Sequence, residues 1–260
     1  MTLEAPTDDI LADDHLLAVW LAEAAGARLL AVREEGLEGK ALKDAGDRAA
    51  HELLMELTGT YRRDDIVLSE EGKDDKRRLE ADRVWIVDPL DGTREFSEPP
   101  RDDWAVHVAL WTKDADGLVA GAVAQPALGE TFSTARPPVV PPRTTERLRI
   151  AVSRTRPPAF VEALAAELDA ELVPMGSAGV KVMSVVRDVT DAYVHAGGQY
   201  EWDSAAPVAV AQAAGLFTSR IDGSPLRYNQ DDVYLPDLIV CRPEIAQRIL
   251  DFITTHGVGE

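Results

Sequence analysis

Six residues about a third of the way along this 260-residue chain, from Asp88 to Thr93, read DPLDGT and contain the side chains best suited to chemistry. The segment before them, Val84 to Val87, is β-branched or aromatic, which predicts a buried strand. We expect that strand to stop at Pro89, because proline cannot donate a hydrogen bond to a sheet ladder. Two carboxylates at the mouth of a buried strand cost free energy unless cations pair with them.

Hard divalent cations bind carboxylate and carbonyl oxygens, so Asp88, the Leu90 carbonyl and Asp91 predict a metal site. Gly92 permits a close approach of the backbone, and a helix that begins near Thr93 would present free N–H groups to an anion such as phosphate. A simple Asp-Pro turn with an Asx cap is the alternative, and it explains many isolated strings of this type.

Three further acidic positions lie in comparable settings, at the end of a predicted strand or the start of a predicted helix. Taken singly, each is typical of a cap or a solvated chain end. Together with the central motif they form an ordered set: Asp47 after Gly46, Glu70-Glu71 after the strand 66–68, and Asp203 after Trp202.

This set closely resembles the lithium-sensitive, magnesium-dependent phosphomonoesterases of the inositol monophosphatase superfamily. Members carry an acidic pair after a strand, then Asp-Pro-(Leu/Ile)-Asp-Gly-Thr, then Trp-Asp at a helix start. The resemblance spans about residues 40 to 241, and its matching elements are Glu70-Glu71, Asp88 to Thr93, Gly176-Ser177-Ala178-Gly179 and Trp202-Asp203.

A finer match concerns the three residues after Thr93, which are Arg94-Glu95-Phe96. They are similar to the CysQ-type 3′(2′),5′-bisphosphate nucleotidases, whereas inositol monophosphatases usually have Asn before that Phe. The resemblance implies hydrolysis of the 3′-phosphate of 3′-phosphoadenosine 5′-phosphate, with AMP as product and a housekeeping role in sulfur assimilation; the corresponding 3′-phospho-5′-phosphosulfate is a second substrate to consider. The alternative is a broad phosphatase for inositol 1-phosphate or fructose 1,6-bisphosphate.

The resemblance also implies a centre with two or three Mg²⁺ ions. One ion would be held by Glu70, Asp88 and the Leu90 carbonyl, and a second by Asp88, Asp91 and Asp203. A third, weaker ion would use Glu70 and water. Two ions of this kind stabilise both the attacking and the leaving oxygen of an in-line displacement.

By the same resemblance, Thr93 and Asp47 would form a hydrogen-bonded pair that orients the attacking water and takes its proton. Both are also typical of plain helix caps, and the residues before Asp47 depart from the Thr/Ser-rich sequence of the family. The expected substrate contacts are the backbone of Gly92 and Thr93 for the phosphate, Ser177, Gly179 and Glu201 for the nucleoside, and Arg227 for the 5′-phosphate.

The elements that must position these residues can be traced from hydrophobic periodicity. Helices are predicted over 8–35, 47–57, 157–168, 177–186, 202–214 and 245–254, and strands over 66–68, 84–87, 104–111, 118–124, 148–152, 192–195 and 238–241. The family fold implied is a mixed α+β and α/β chain, a five-layered α/β/α/β/α sandwich of the sugar phosphatase type. The four prolines in 136–147 indicate a boundary between an N-terminal half, 1–147, and a C-terminal half, 148–260, or an ordered segment across the surface.

The composition limits the possible partners. The formal charge is −19 and the pI about 4.6, which argues against a nucleic-acid polymer and leaves a small phosphorylated molecule as the expected ligand. Cys241 is the single cysteine, so no internal disulfide can form. No signal peptide and no apolar run long enough for a bilayer are recognised, so we expect a cytoplasmic protein that does not bind membranes; a homodimer is compatible with the chain.

Overall fold

The computed structural model describes residues 4–155 and 157–258. Its helices are α1 to α8, and they occupy Asp8–Ala12, Asp14–Arg33, Gly39–Tyr61, Thr93–Phe96, Ala159–Leu168, Ala178–Val186, Glu201–Ala213 and Pro243–His256. Its strands are β1 to β10, and they occupy Ile66–Ser69, Arg83–Asp91, Ala105–Thr112, Gly117–Gln125, Glu130–Ser133, Leu148–Ser153, Ala170–Met175, Ala192–Ala196, Phe217–Ser219 and Asp237–Cys241.

Two five-stranded sheets organise the chain. The first has the order β1-β2-β3-β4-β5, with β1 parallel to β2 and the other pairs antiparallel. The second has the order β7-β6-β8-β10-β9, in which β6, β7 and β8 run parallel. The carboxyl ends of β6, β7 and β8 therefore meet at one edge of the second sheet.

The helices form three layers around these sheets. Helices α2 and α3 cover the outer face of the first sheet, and α6 and α7 lie between the two sheets. Helices α5 and α8 share an apolar core with the outer face of the second sheet. The sequence prediction of a five-layered α/β/α/β/α sandwich is therefore confirmed.

Several boundaries differ from the sequence prediction for identifiable reasons. The helix predicted over 8–35 is divided at Asp13, whose carboxylate caps α2 by accepting from the N–H groups of His15 and Leu16. Strand β2 does not stop at Pro89 but continues to Asp91 through an irregular register. The short strands β5, β7 and β9 carry no clear alternation and were not predicted.

The proline-rich segment between β5 and β6 has no helix or strand, but hydrogen bonds hold it against the second half. Arg242 Nη2 donates to the carbonyl of Pro141 at 2.9 Å, and Thr144 Oγ1 donates to Asp188 Oδ2 at 2.7 Å. The two sheets fall on either side of this segment, and one apolar core joins β2 and β3 to α6 and α7. The segment is thus ordered packing over the surface, and the division at 147/148 stays a prediction.

Helix α2 corrects one sequence expectation. It is 20 residues long and apolar, so by length and composition alone it could cross a membrane. In the folded protein half of that apolar stretch is buried, and α2 packs on β3, β4 and α3. These contacts are typical of the core helix of a layered fold.

Candidate active site

The acidic motifs converge because two parallel strands end side by side. Strands β1 and β2 pair with Ser69 opposite Val87, so Glu70 follows β1 at the level where Asp88 begins the motif. The N–H of Glu70 still reaches the carbonyl of Val87, at 3.4 Å. Helix α7, which begins at Glu201, brings Asp203 to the same edge. We call Glu70, Asp88, Asp91 and Asp203 the acidic cluster.

Pro89 shapes the motif by placing a bulge in β2. Side chains of a regular strand alternate between faces, so residues three apart, such as Asp88 and Asp91, would point to opposite sides. The register against β3 shifts between these two residues, and the N–H of Leu90 turns back to donate to Asp88 Oδ1 at 3.0 Å. A bulge tolerates proline because it needs no ladder donor, and it aims both carboxylates at one place.

Gly92 completes this turn in a conformation that other residues rarely adopt. Its φ is +86°, and a Cβ there would lie 3.2 Å from Ser177 Cβ and 3.3 Å from the carbonyl oxygen of Asp103. It precedes the four-residue helix α4, whose first N–H groups, on Thr93 and Arg94, have no acceptor within the helix. Glycine is therefore required by both backbone strain and the close approach of the second half.

The acidic cluster lacks enough positive charge to neutralise it. Burial and then the charge of Glu70 raise the pKa of Asp88 well above its usual range. Burial and the charge of Asp91 raise the pKa of Asp203 to about 7. Glu70 is exposed at the mouth, but its carboxyl group points into the cluster, where desolvation and the charge of Asp203 raise its pKa to about 7.

Asp91 is the exception, because one of its oxygens is surrounded by donors. Asp91 Oδ2 accepts from Ser177 Oγ at 2.5 Å and from the N–H of Gly179 at 2.7 Å, and His107 Nε2 lies 3.2 Å away. Burial alone would raise the pKa of Asp91, but His107, Lys181 and Ser177 outweigh it and lower the pKa. Ionised Asp91 thus keeps Oδ1, which has no protein donor among the described residues, for a cation.

His107 is a site residue that the sequence did not reveal. It lies on β3 with no exposed surface, and its Nδ1 is 3.2 Å from the Trp202 carbonyl oxygen. Its Nε2 faces the Asp91 carboxylate, but the geometry is not that of a hydrogen bond. A Cβ on Gly179 would lie 2.0 Å from Nε2. Gly179 therefore makes room for the imidazole against Asp91. The only sequence signal was a histidine inside an apolar strand.

Asp47 and Thr93 meet although 46 residues separate them. Thr93 Oγ1 lies 3.3 Å from Asp47 Oδ1 and 3.2 Å from the Leu90 carbonyl. A Cβ on Gly46 would lie 2.6 Å from Phe96 Cε1, so glycine lets α3 pass closely over α4. Burial and the charge of Glu71 raise the pKa of Asp47 to about 6, which suits a proton acceptor near neutral pH.

The donor set fits a hard divalent cation. Asp88, Asp91 and His107 offer ligand atoms that all lie within 4.8 Å of one another, and Glu70 and Asp203 crowd the same place. Carboxylate oxygens suit Mg²⁺ and similar ions, and repulsion among them would be relieved by a cation. The ammonium group of buried Lys181 donates instead to the carbonyls of Gly176 and Ser177, at 3.3 and 2.7 Å.

Comparison with known proteins identifies the fold and the motifs. The family model for the inositol monophosphatase family matches residues 17–253. The chain belongs to the inositol monophosphatase family. The resemblance read from the motifs is thus confirmed, and the acidic cluster is the place where this metal-dependent family would hold its cations.

Two relatives are similar over most of their length. A Mycobacterium leprae protein named 3′-phosphoadenosine 5′-phosphate phosphatase is 52% identical over 252 residues, which cover 92% of this chain and 93% of that protein. The 3′(2′),5′-bisphosphate nucleotidase CysQ of Escherichia coli K12 is 32% identical over 202 residues, which cover 74% of this chain and 81% of that protein.

Solved structures agree on the fold. CysQ from Bacteroides thetaiotaomicron, described as a bacterial member of the inositol monophosphatase family, superposes with a TM-score of 0.73 at 27% identity, covering 88% of this chain and 97% of that one. Inositol monophosphatase II of Staphylococcus aureus MSSA476 superposes with a TM-score of 0.76 at 21% identity, covering 91% of this chain and 94% of that one. At this level of identity the likeness shows the fold alone.

The Arg94-Glu95-Phe96 signature of this inositol monophosphatase family chain joins its two halves. Glu95 is buried and accepts from Arg154 Nε, at the end of β6, at 2.6 Å. A Cβ on Gly176 would lie 2.3 Å from the Glu95 side chain. Glu95 of the signature therefore packs against the loop that carries Ser177. This contact joins the two halves of the chain, and the sequence could not reveal it.

Arg227 and Glu201 line one cavity, but the Glu201 side chain has a different role from the one that the sequence predicted. Arg227 Nη1 is 4.0 Å from Asp116 Oδ2, in the β3–β4 turn. Arg227 also lines a cavity of about 420 Å³ together with Glu201 and Tyr234, and its contact with the 5′-phosphate stays a prediction. Glu201 is buried, and its carboxylate accepts from the N–H groups of Asn229 and Gln230 at 2.6 and 2.8 Å. Glu201 thus holds a loop, which corrects its expected nucleoside contact.

Ser177 and Gly179 lie at the site, but in a different role from the nucleoside contacts expected. The Ser177 hydroxyl donates to Asp91 and accepts from the N–H of Val180 at 3.0 Å, and Ser177 itself has a φ of 48°. Backbone strain of this kind persists where surrounding contacts enforce it. Both residues therefore fix Asp91.

Proposed function

We propose that this protein is a divalent-metal-dependent phosphatase that removes the 3′-phosphate of 3′-phosphoadenosine 5′-phosphate and yields AMP. The observation that carries the choice of substrate is the 52% identity, over nearly the whole of both chains, to a relative named for that activity. The acidic cluster, with the Asp47–Thr93 pair beside it, supports the reaction class.

Mg²⁺ is the proposed cation, with two or three ions per site held by Glu70, Asp88, the Leu90 carbonyl, Asp91 and Asp203. When bound, the ions would offset phosphate charge and make a water more acidic. Thr93 Oγ1, held by Asp47, would orient that water, and Asp47 Oδ1 would take its proton. The N–H groups of Gly92 and Thr93 would bind the phosphate oxygens.

A broad phosphatase for inositol 1-phosphate or fructose 1,6-bisphosphate is the second candidate. It shares the metal ligands, and its support is a fold likeness at 21% identity, which does not reach the substrate. A regulator that binds the nucleotide without turning it over is a third idea. The Asp47–Thr93 contact argues against it, because a pure binder needs no pair that accepts a proton.

The test is phosphate release from 3′-phosphoadenosine 5′-phosphate, its 5′-phosphosulfate analogue, inositol 1-phosphate and fructose 1,6-bisphosphate, with Mg²⁺ or EDTA. We expect the highest kcat/KM on the bisphosphate nucleotide and no turnover in EDTA. Preference for either sugar phosphate would overturn the proposal. The same assay with Li⁺ tests our further proposal, taken from the family resemblance, that Li⁺ inhibits by occupying the site of Asp88, Asp91 and Asp203.

A further inference from the structure

Two tyrosines form an exposed aromatic surface beside the acidic cluster. Across residues 4–155 and 157–258, Tyr200 and Tyr234 are the only exposed side chains among phenylalanine, tyrosine and tryptophan, with relative exposures of 41% and 44%. Their ring centroids lie 5.5 Å apart at an angle of 70°. The half-buried ring of Trp202 stacks on Tyr200, with centroids 5.0 Å apart and planes 12° from parallel. We call Tyr200, Trp202 and Tyr234 the aromatic platform.

The backbone holds the aromatic platform in place. Tyr200 and Tyr234 are direct partners in an antiparallel bridge, flanked by hydrogen bonds from the N–H of Glu201 to the Val233 carbonyl and from the N–H of Leu235 to the Gln199 carbonyl. The Tyr234 hydroxyl also accepts from the N–H of Gly198 at 3.1 Å. Exposed rings held in this way lose little freedom on binding a ligand.

The platform is tied directly to a predicted metal ligand. The N–H of Tyr200 donates to Asp203 Oδ2 at 2.7 Å, and the N–H of Asp203 donates to the Tyr200 carbonyl at 3.2 Å. In a nucleoside 3′-phosphate the base is on C1′ and the phosphate on C3′, with one ribose carbon between them. A phosphate at the acidic cluster therefore brings the base to within one sugar's width of Asp203.

We propose that the aromatic platform binds the adenine ring of the substrate by stacking and so selects nucleotides over sugar phosphates. This inference rests on the proposed function and adds the residues that set its specificity. Inositol and fructose phosphates have no planar ring and gain nothing from such a surface. Exposed tyrosine and tryptophan rings are typical of stacking sites for nucleobases, since every base has a π face.

A larger cavity elsewhere is the competing location. It has a volume of about 600 Å³ and is lined by Phe160, Phe252 and His256 from α5 and α8. Those helices cover the face of the second sheet opposite to α6 and α7. That cavity is also lined by Ala196 and Gly197 at the end of β8, so it lies close to the loop that carries the aromatic platform. The platform is the better location because the backbone of Tyr200 is hydrogen-bonded directly to Asp203.

The experiment measures binding of AMP and of ribose 5-phosphate to the Mg²⁺-loaded protein by calorimetry, for wild type, Tyr200→Ala, Tyr234→Ala and Tyr200→Phe. We expect wild type to bind AMP more tightly than ribose 5-phosphate. Tyr200→Ala should weaken the binding of AMP by about tenfold, and Tyr234→Ala should weaken it by less. Tyr200→Phe should change AMP binding little, because stacking needs the ring and not the hydroxyl. Ribose 5-phosphate should be nearly unaffected in each variant.

His256→Ala is the matched control, since it removes a ring that stacks on Phe252 in the competing cavity. Loss of AMP affinity in His256→Ala but not in Tyr200→Ala would overturn the inference. So would an equal loss of affinity for AMP and for ribose 5-phosphate in Tyr200→Ala. Kinetics separate this result from the proposed function: wild type that hydrolyses the bisphosphate while Tyr200→Ala keeps its KM would refute the aromatic platform alone. Wild type that binds AMP through Tyr200 without hydrolysing the bisphosphate would refute only the proposed activity.

Discussion

Two groups of carboxylates lie at opposite edges of this fold, and they are built differently. The acidic cluster has four carboxylates, and only Asp91 among them has a lowered pKa. At the starts of β6 and β8, Asp188 and Asp191 are instead matched by two arginines. Arg242 Nη2 is 2.6 Å and Arg149 Nη2 is 2.9 Å from Asp188 Oδ1, and both arginines also reach Asp191.

The difference separates a structural group from a functional one. Hydrogen bonds from Thr144 and Arg242 overcome burial and lower the pKa of Asp188, so this group is satisfied by the protein alone. The acidic cluster is satisfied only when protons or cations are added. Natural proteins keep such costly arrangements at sites where a ligand completes them.

Asp88→Asn should have the largest effect, and it should lower catalysis without lowering stability. We expect kcat to fall by at least about 1,000-fold, since a bound cation supplies several kcal/mol of transition-state stabilisation. Metal-free protein should unfold at an equal or higher temperature, because one of the repelling charges is gone. Phosphate release and thermal unfolding in EDTA measure the two effects. Near-normal turnover of folded Asp88→Asn at saturating Mg²⁺ would sink the metal assignment.

Asp188→Asn should show the reverse pattern. It leaves the buried guanidinium group of Arg242 and the half-buried one of Arg149 without a full partner, so the free energy of unfolding should fall by about 3 kcal/mol. The kcat/KM of the folded fraction should not change, because Asp188 is at the opposite edge of the second sheet. Denaturant unfolding measures this loss. Asp169→Asn is the control, since that side chain is 91% exposed beside Arg147, and a loss as large there would contradict the comparison.

His107→Ala should have a smaller effect, which is a loss of affinity for the metal ion. The imidazole helps to fix Asp91, and removing such a supporting group typically lowers metal affinity by about 10- to 100-fold. Mn²⁺ binding followed by electron paramagnetic resonance reports this without turnover. His107→Asn keeps a donor and should lose less, and His15→Ala, which removes a contact with Thr134, should change nothing. Unaltered Mn²⁺ affinity in His107→Ala would show that Asp91 needs no help from β3.

The smallest effect concerns pH. The pKa values of Glu70 and Asp203, about 7, exceed those of ordinary carboxyl groups, so folded metal-free protein binds more protons than unfolded chain. Their stabilisation is complete below about pH 4 and is lost as pH rises through 7. The lowered pKa of Asp188 has the opposite effect on stability. Asp188 stabilises the folded protein at neutral pH, and this stabilisation is lost only as pH falls below the usual carboxyl range.

Unfolding temperatures in EDTA at pH 5.5 and 8.0 test this sign. We expect the unfolding temperature to be lower at pH 8.0 than at pH 5.5. This difference should become smaller with saturating Mg²⁺ and also in Asp88→Asn. A metal-free protein that is more stable at pH 8.0 would show that the acidic cluster is neutralised by the protein itself.

Much of the fold could be predicted because its signals are local. Buried strands such as β2 and β3 and the helices α6 and α7 follow from apolar runs, caps and glycines within a few residues. Strands β5, β7 and β9 have three to six residues and little alternation, so nothing local distinguishes them from loops. Helix α3 extends far beyond 47–57, because packing over α4 outweighs the glycines along it.

The sequence by itself determined the family, the acidic motifs and the reaction class, because each ligand follows its own strand end or helix start within a short motif. Only the tertiary structure decided how those ligands are held. His107, Gly179 and Ser177 act on Asp91 from segments 16 to 88 residues away, and Gly46 brings Asp47 to Thr93. The tertiary structure also turned the Glu201 carboxylate onto a loop and placed Tyr200 beside Tyr234. Such contacts depend on how strands pair and layers pack, which no local pattern of residues encodes.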